Sequence, residues 1–201
     1  MTPRTLIVLG LVVLALAWAG PLPHLVPASF AAHMALHMSV VGIGVPLVAI
    51  GLAANAGRIA FLRDPRVLPL VVISLLDLVV VWGWHAPALH HASRSEPLIL
   101  AIEQASFAGV TLVIWLFAFT GPALLGALCL FFTSMHMTLL GALLGLVQRP
   151  SFTGHAHGSA FNLGPLEDQQ LGGVIMLAVG GVVYLAGALT LVARALRRSP
   201  S

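Results

Sequence analysis

Lysine is absent from this chain of 201 residues, and charge of either sign is scarce, Asp, Glu, Lys and Arg together making up only 7%. A soluble domain carries about 25% charged residues, so this chain lacks the polar surface that would keep it dissolved. A single cysteine, Cys129, excludes an internal disulfide. CxxC pairs, a P-loop, a dinucleotide fingerprint and a soluble catalytic-triad pattern are all missing, which removes the commonest enzymatic signatures. What is abundant is apolar: 59% of the residues are hydrophobic and the mean hydropathy is +1.04. Six membrane spans of roughly 20 residues need about 120 residues, leaving short loops and no room for a soluble domain.

The apolar stretches fall at about 5–20, 31–55, 67–84, 97–119, 123–147 and 170–193. They are too long and too uniformly apolar for transmembrane strands, which run to about ten residues and alternate. The expected fold is an all-α polytopic bundle of six transmembrane helices forming one domain over 1–201, with a long extracytoplasmic loop at 148–169. Prolines 21, 23 and 27, prolines 65 and 69, Pro87 and Gly121-Pro122 supply the breaks, because proline cannot donate the hydrogen bond that continues a helix. The first segment, with Arg4 and Ala17-Trp18-Ala19, fits a signal peptide as well as a retained helix, and is taken as the latter.

The net charge of +3 comes from arginine in the loops and reports orientation rather than nucleic-acid binding. Arg4, Arg58, Arg63, Arg66, Arg194, Arg197 and Arg198 fall on one face of a six-helix arrangement, Arg94 and Arg149 on the other. That asymmetry puts both termini in the cytoplasm. Trp18, Trp82 and Trp84 then fall near the outer interface and Trp115 near the inner one. The histidines become one-sided: His24, His33, His85, His90, His91, His155 and His157 lie at or beyond the outer interface, His37 a turn deeper, His136 near mid-membrane, and none on the cytoplasmic side.

The second helix opens with Ala32-His33-Met34-Ala35-Leu36-His37-Met38. Residues four apart share a face, so His33 and His37 form one column and Met34 and Met38 another, about 100° round. Imidazole beside thioether suits copper, Cu(I) above all. The alternative is packing, with Met as filler and His hydrogen-bonded to a neighbour. A metalloprotease helix would need Glu where Met34 stands. The fifth helix carries Met135-His136-Met137 at its centre, where polar groups are expensive and usually functional. Val81-Trp82-Gly83-Trp84-His85-Ala86-Pro87 holds His85 at the mouth of the bundle, as a ligand or as an interface histidine. Glu103 is open to three readings: ligand, proton acceptor or neutral packing acid. Asp77 has no partner evident in the sequence. Glu167 and Asp168 suit the first turn of the last helix, and Met176 follows two turns on. Gly141 and Gly145 on the fifth helix, and the paired glycines of the last, read as close helix packing.

The order HMALHM, WGWHAP, SFAG with a following Trp, TSMHM and LEDQQLGGVIM resembles the CtaG family of cytochrome c oxidase assembly factors over roughly residues 30–193. The resemblance implies a multi-pass protein of the bacterial inner membrane that is needed for an active haem-copper oxidase and helps deliver copper to it. It falls on His33, His37, His85, His136 and the Asp168–Met176 segment. Where the family's fourth helix leads one to expect a histidine, this chain has Gln104 beside Glu103, and it has six spans where longer relatives have about seven.

The expected function is therefore a non-enzymatic assembly factor holding copper, as Cu(I), at a His/Met site open to the extracytoplasmic side. The candidate ligands are His33, His37, Met34, Met38, His85, His136, Met135, Met137, Asp168 and Met176, with His136 as the floor. Affinity should fall as acid protonates the imidazoles. The expected partners are a haem-copper oxidase subunit, a periplasmic copper donor and the lipid bilayer, with no nucleic acid. The alternatives are a haem-binding electron-transfer protein with His37 and His136 as axial ligands, and a copper transporter.

Overall fold

The computed structural model describes residues 1–54, 67–150 and 162–198, all helix and turn with no strand among them. Arg58, Arg63, Arg66, His155 and His157 lie outside the described residues. Five helical stretches are long and apolar enough to cross a membrane, and a bent pair makes a sixth.

Helix α1 (Pro3–Ala19) is capped by Thr2, whose hydroxyl accepts from the Thr5 amide, and has proline in its first turn, where the missing donor costs nothing. After a short α2 (Leu22–Leu25), α3 (Phe30–Met38), a π-helical turn (Ser39–Gly44) and α4 (Val45–Ala53) form one continuous span. Pro46 accounts for the widened turn. A proline clashes with the carbonyl four residues back and has no N–H to offer. A five-residue bond to the carbonyl of Val41 is unavailable for the same reason, and the Tyr184 hydroxyl takes over, donating to that oxygen at 3.0 Å. The chain's only tyrosine thus closes a gap opened by a proline.

Helix α5 (Val67–Trp84) ends at His85-Ala86, and the chain turns through 70° into α6 (Pro87–Ser95). No apolar stretch covers 85–96, yet Pro87 begins a helix there. Helices α7 (Pro97–Thr120) and α8 (Ala123–Leu146) are separated by Gly121-Pro122. The last span starts at Pro165, earlier than expected from hydropathy. It comprises α9 (Pro165–Met176), a second π turn (Leu177–Gly181) and α10 (Val182–Arg198).

Small residues set the closest crossings, as membrane helices require. A Cβ on Gly10 of α1 would sit 2.6 Å from the Gly44 carbonyl oxygen, and one on Gly173 of α9 2.7 Å from that of Gly141 on α8. Trp115, expected in an interfacial belt, is buried instead, packed between Phe119 and Tyr184. The up-and-down order brings the starts of α3, α7 and α9 together with the end of α5. That end of the bundle is where the polar side chains gather.

Candidate metal centre

Asp168 comes first, because it sets the rotation of α3. Its Oδ1 accepts from the Ser29 hydroxyl at 2.6 Å and the Ala31 amide at 3.3 Å, and its Oδ2 from the Phe30 amide at 2.6 Å. Ser29 in turn accepts from the Ala32 amide at 3.1 Å. The free N–H groups of a helix start are thereby satisfied by a neighbouring helix. Asp168 is a cap, with both oxygens engaged, rather than a member of the histidine cluster.

With α3 so oriented, His33 and His37 face α7. His33 Nε2 lies 3.0 Å from Glu103 Oε2, and His37 Nε2 3.6 Å from Oε1. His85 at the end of α5 and His90 on α6 complete the group. Ring centroids are 4.3 Å apart for His33–His37, 4.7 Å for His33–His90, 6.1 Å for His37–His85 and 6.5 Å for His85–His90. Phe107 packs on His37 and His85, and Phe30 on His90. All four imidazoles and Glu103 are buried. One donor atom each from His33, His90 and Glu103 lies within 4.8 Å of the other two.

Hydrogen-bond chemistry fixes several protons. An indole N–H can only donate, so Trp18 Nε1, 3.5 Å from Gln104, turns the amide oxygen toward itself. The amide nitrogen then donates to His37 Nδ1 at 2.8 Å, which places the His37 proton on Nε2, toward Glu103. His33 Nε2 faces the other carboxylate oxygen and carries its proton there. His85 donates from Nδ1 to the Val81 carbonyl at 2.7 Å. His33 Nδ1 and His85 Nε2 are buried with no hydrogen-bond partner, and His37 Nε2, 3.6 Å from Glu103, makes no hydrogen bond either. An imidazole anchored through one nitrogen to a carbonyl or carboxylate, with a lone pair left on the other, is the usual form of a metal-binding histidine.

The methionines go elsewhere. The Met34 side chain lies against Phe30 and Gly172, and the sulfurs of Met38 and Met137 both face Gly180. Met176 is buried on the same face of the last span, while Met135 is half exposed. His136 does not form the floor. Its Nε2 donates to Asp77 Oδ2 at 2.9 Å, and the Thr133 hydroxyl donates to the same oxygen at 2.7 Å. Met135 and His136 line an open, almost wholly apolar groove of about 590 Å³ between α5 and α8. The two histidines paired in the haem reading thus have separate partners. His24 and His91 are exposed.

Two members of the cluster were not among the expected ligands. Glu103 was open to several roles. His90, expected only to lie at or beyond the outer interface, stands on α6, where a helix starting at Pro87 puts His90, Ser93 and Arg94 on one face. Arg94 Nε donates to the Val26 carbonyl at 3.1 Å and its terminal nitrogen to that of Pro27, tying α6 across the start of α3.

These features define a multi-pass membrane helix bundle with a buried cluster of four imidazoles and one carboxylate at one end. The model of one family, described as cytochrome c oxidase caa3 assembly factor (Caa3_CtaG), matches residues 3–198. The chain belongs to that family, and the whole cluster lies within the match. Neither the curated proteins nor the solved structures yield a match.

Proposed function

We propose that this cytochrome c oxidase assembly factor carries a copper ion in the His33–His37–His85–His90–Glu103 cluster and hands it to an oxidase subunit docked beside it in the membrane. The observation that carries the reading is the surplus of imidazole over acid. One carboxylate faces two histidines, at 3.0 and 3.6 Å, while His33 Nδ1 and His85 Nε2 are buried with no partner for their lone pairs. A buried polar atom without a partner costs about 1–3 kcal/mol, and a metal ion relieves that cost at several atoms at once. The donors are nitrogen and oxygen with no sulfur, a set that accepts copper in either oxidation state and does not select Cu(I) as thioethers do.

The arginine distribution of the sequence supports an extracytoplasmic position for the cluster, where a periplasmic donor would load it. Release proceeds by ligand exchange, the receiving subunit's donors replacing imidazoles one at a time. The role is that of a carrier and not of an enzyme.

The deciding measurement is metal content by mass spectrometry on detergent-purified, copper-loaded protein. The wild type should hold one equivalent of copper more than His33→Ala/His37→Ala. Stoichiometric copper bound through nitrogen in that double variant would refute the assignment. A visible spectrum of the same sample shows a Soret band only if haem is bound.

A further inference from the structure

Met34, Met38, Met137 and Met176, four of the chain's six methionines, are buried where α3, α8 and the last span meet. On the last span, Gly172, Met176 and Gly180 follow at one-turn intervals along a face turned toward α3. A Cβ on Gly172 would lie 3.0 Å from the Met34 side chain. At Gly180 the position of the missing Cβ lies 3.1 Å from the Met137 sulfur and 3.7 Å from the Met38 sulfur. Two thioether sulfurs from different helices therefore come close to the same point beside the third helix, where even a Cβ would crowd the Met137 sulfur.

Packing alone would account for methionine in an irregular gap, but it does not require sulfurs from two different helices to meet at the same glycine. The backbone adds a separate observation. The last span widens at this level, its π turn Leu177–Gly181 containing Gly180 itself, whereas the turn that follows Met38 is the one set by Pro46. Such turns are uncommon and concentrate at functional sites. Thioether sulfur is soft and selects Cu(I), whereas the imidazole–carboxylate cluster does not discriminate.

We infer that Met38 and Met137 form a second site, for a soft monovalent cation such as Cu(I), at Gly180 and apart from the His–Glu cluster. The inference takes only its choice of metal from the copper reading above. Because His37 and Met38 are consecutive, an ion moving between the two sites stays on α3.

The test is an anaerobic Cu(I) titration of the full-length protein against a chromogenic chelator, with X-ray absorption at the copper edge. The wild type should bind one equivalent more than Met38→Leu/Met137→Leu, a nearly volume-conserving change, and should show a copper–sulfur signal that this variant lacks. His33→Ala/His37→Ala should keep the sulfur-bound equivalent. Selenomethionine protein, unaltered in sequence, should replace the copper–sulfur signal with copper–selenium, which removes any concern over folding of the leucine variant. Absence of the selenium signal, or sulfur-bound copper surviving in the leucine variant, would overturn the site. Copper bound only through sulfur and indifferent to the histidine substitutions would uphold this site while removing the cluster reading.

Discussion

Histidine meets a buried carboxylate in two places in this bundle, and the two places use their bonding capacity differently. Between α5 and α8, Asp77 Oδ2 takes one imidazole and one hydroxyl, from His136 and Thr133. At the end of the bundle Glu103 stands among four imidazoles from α3, α6 and the α5–α6 break. The first is a cross-link: one acid, two donors, two helices. The second has more imidazole than its one acid can serve: a buried nitrogen without a partner occurs at both sites, on His136 as on His33 and His85, but only here do such rings converge from several elements. Depth in the membrane or mere burial would not separate the two sites. The ratio of imidazole to acid does.

The largest effect is expected from Asp168→Ala, which breaks the frame that holds the cluster rather than the cluster itself. It strands the Ser29 hydroxyl and the Phe30 and Ala31 amides, each costing about 1–3 kcal/mol when buried without a partner. Thermal unfolding should shift down strongly. Cys129, the chain's only thiol and fully buried, offers the readout, since a maleimide dye labels it only on opening. Next comes Asp77→Ala, expected to lose about 2 kcal/mol by leaving the His136 N–H and Thr133 hydroxyl without their acceptor. Copper content should not change. A loss of copper with Asp77 would erase the distinction between the two regions.

Glu103→Gln should act the other way. The amide preserves size and can still accept from His33, so stability should change by under about 1 kcal/mol. A neutral oxygen is a poorer partner for a cation than a carboxylate, and the imidazoles lose the acid that orients them. Copper affinity at the cluster should fall about 10–100-fold, the range typical for altering groups that orient metal ligands. Competition with a chelator of known affinity would measure it. Unchanged affinity would make Glu103 a structural acid like Asp77.

Much of the architecture was legible because the physics that shapes it is coarse. Apolar runs of some 20 residues can only become spanning helices in lipid, and Gly121-Pro122 and Pro87 had to interrupt them. The His33/His37 column and the Met34/Met38 column were likewise readable from helical periodicity. Which neighbour each column faces was not, since that depends on the Asp168 cap that rotates α3 and on helices distant in sequence. His90 was hidden for another reason. A nine-residue polar helix looks like a loop until its histidine face is seen to be buried against Phe30 and His33. The Asp77–His136 bond joins residues 59 apart in sequence, with no periodic signal connecting them.

The smallest effect, and the finest probe of the comparison, is Thr133→Val. The swap keeps the branched shape and removes only the hydroxyl that donates to Asp77 Oδ2 at 2.7 Å. Side-chain hydrogen bonds between membrane helices are worth about 0.6 kcal/mol on average, because chains unfolded within the bilayer also find partners. If the His136 bond alone anchors Asp77, the loss should stay near that value and the unfolding curve should move by only a degree or two. A loss equal to that of Asp77→Ala would mean that the hydroxyl and the imidazole act as one unit. Combining Thr133→Val with His136→Phe separates these cases: independent bonds give additive losses, a coupled pair gives less than the sum. Applied to His33 and His37 around Glu103, the same cycle should show stronger coupling in copper binding than in stability, because those two rings share an ion as well as an acid.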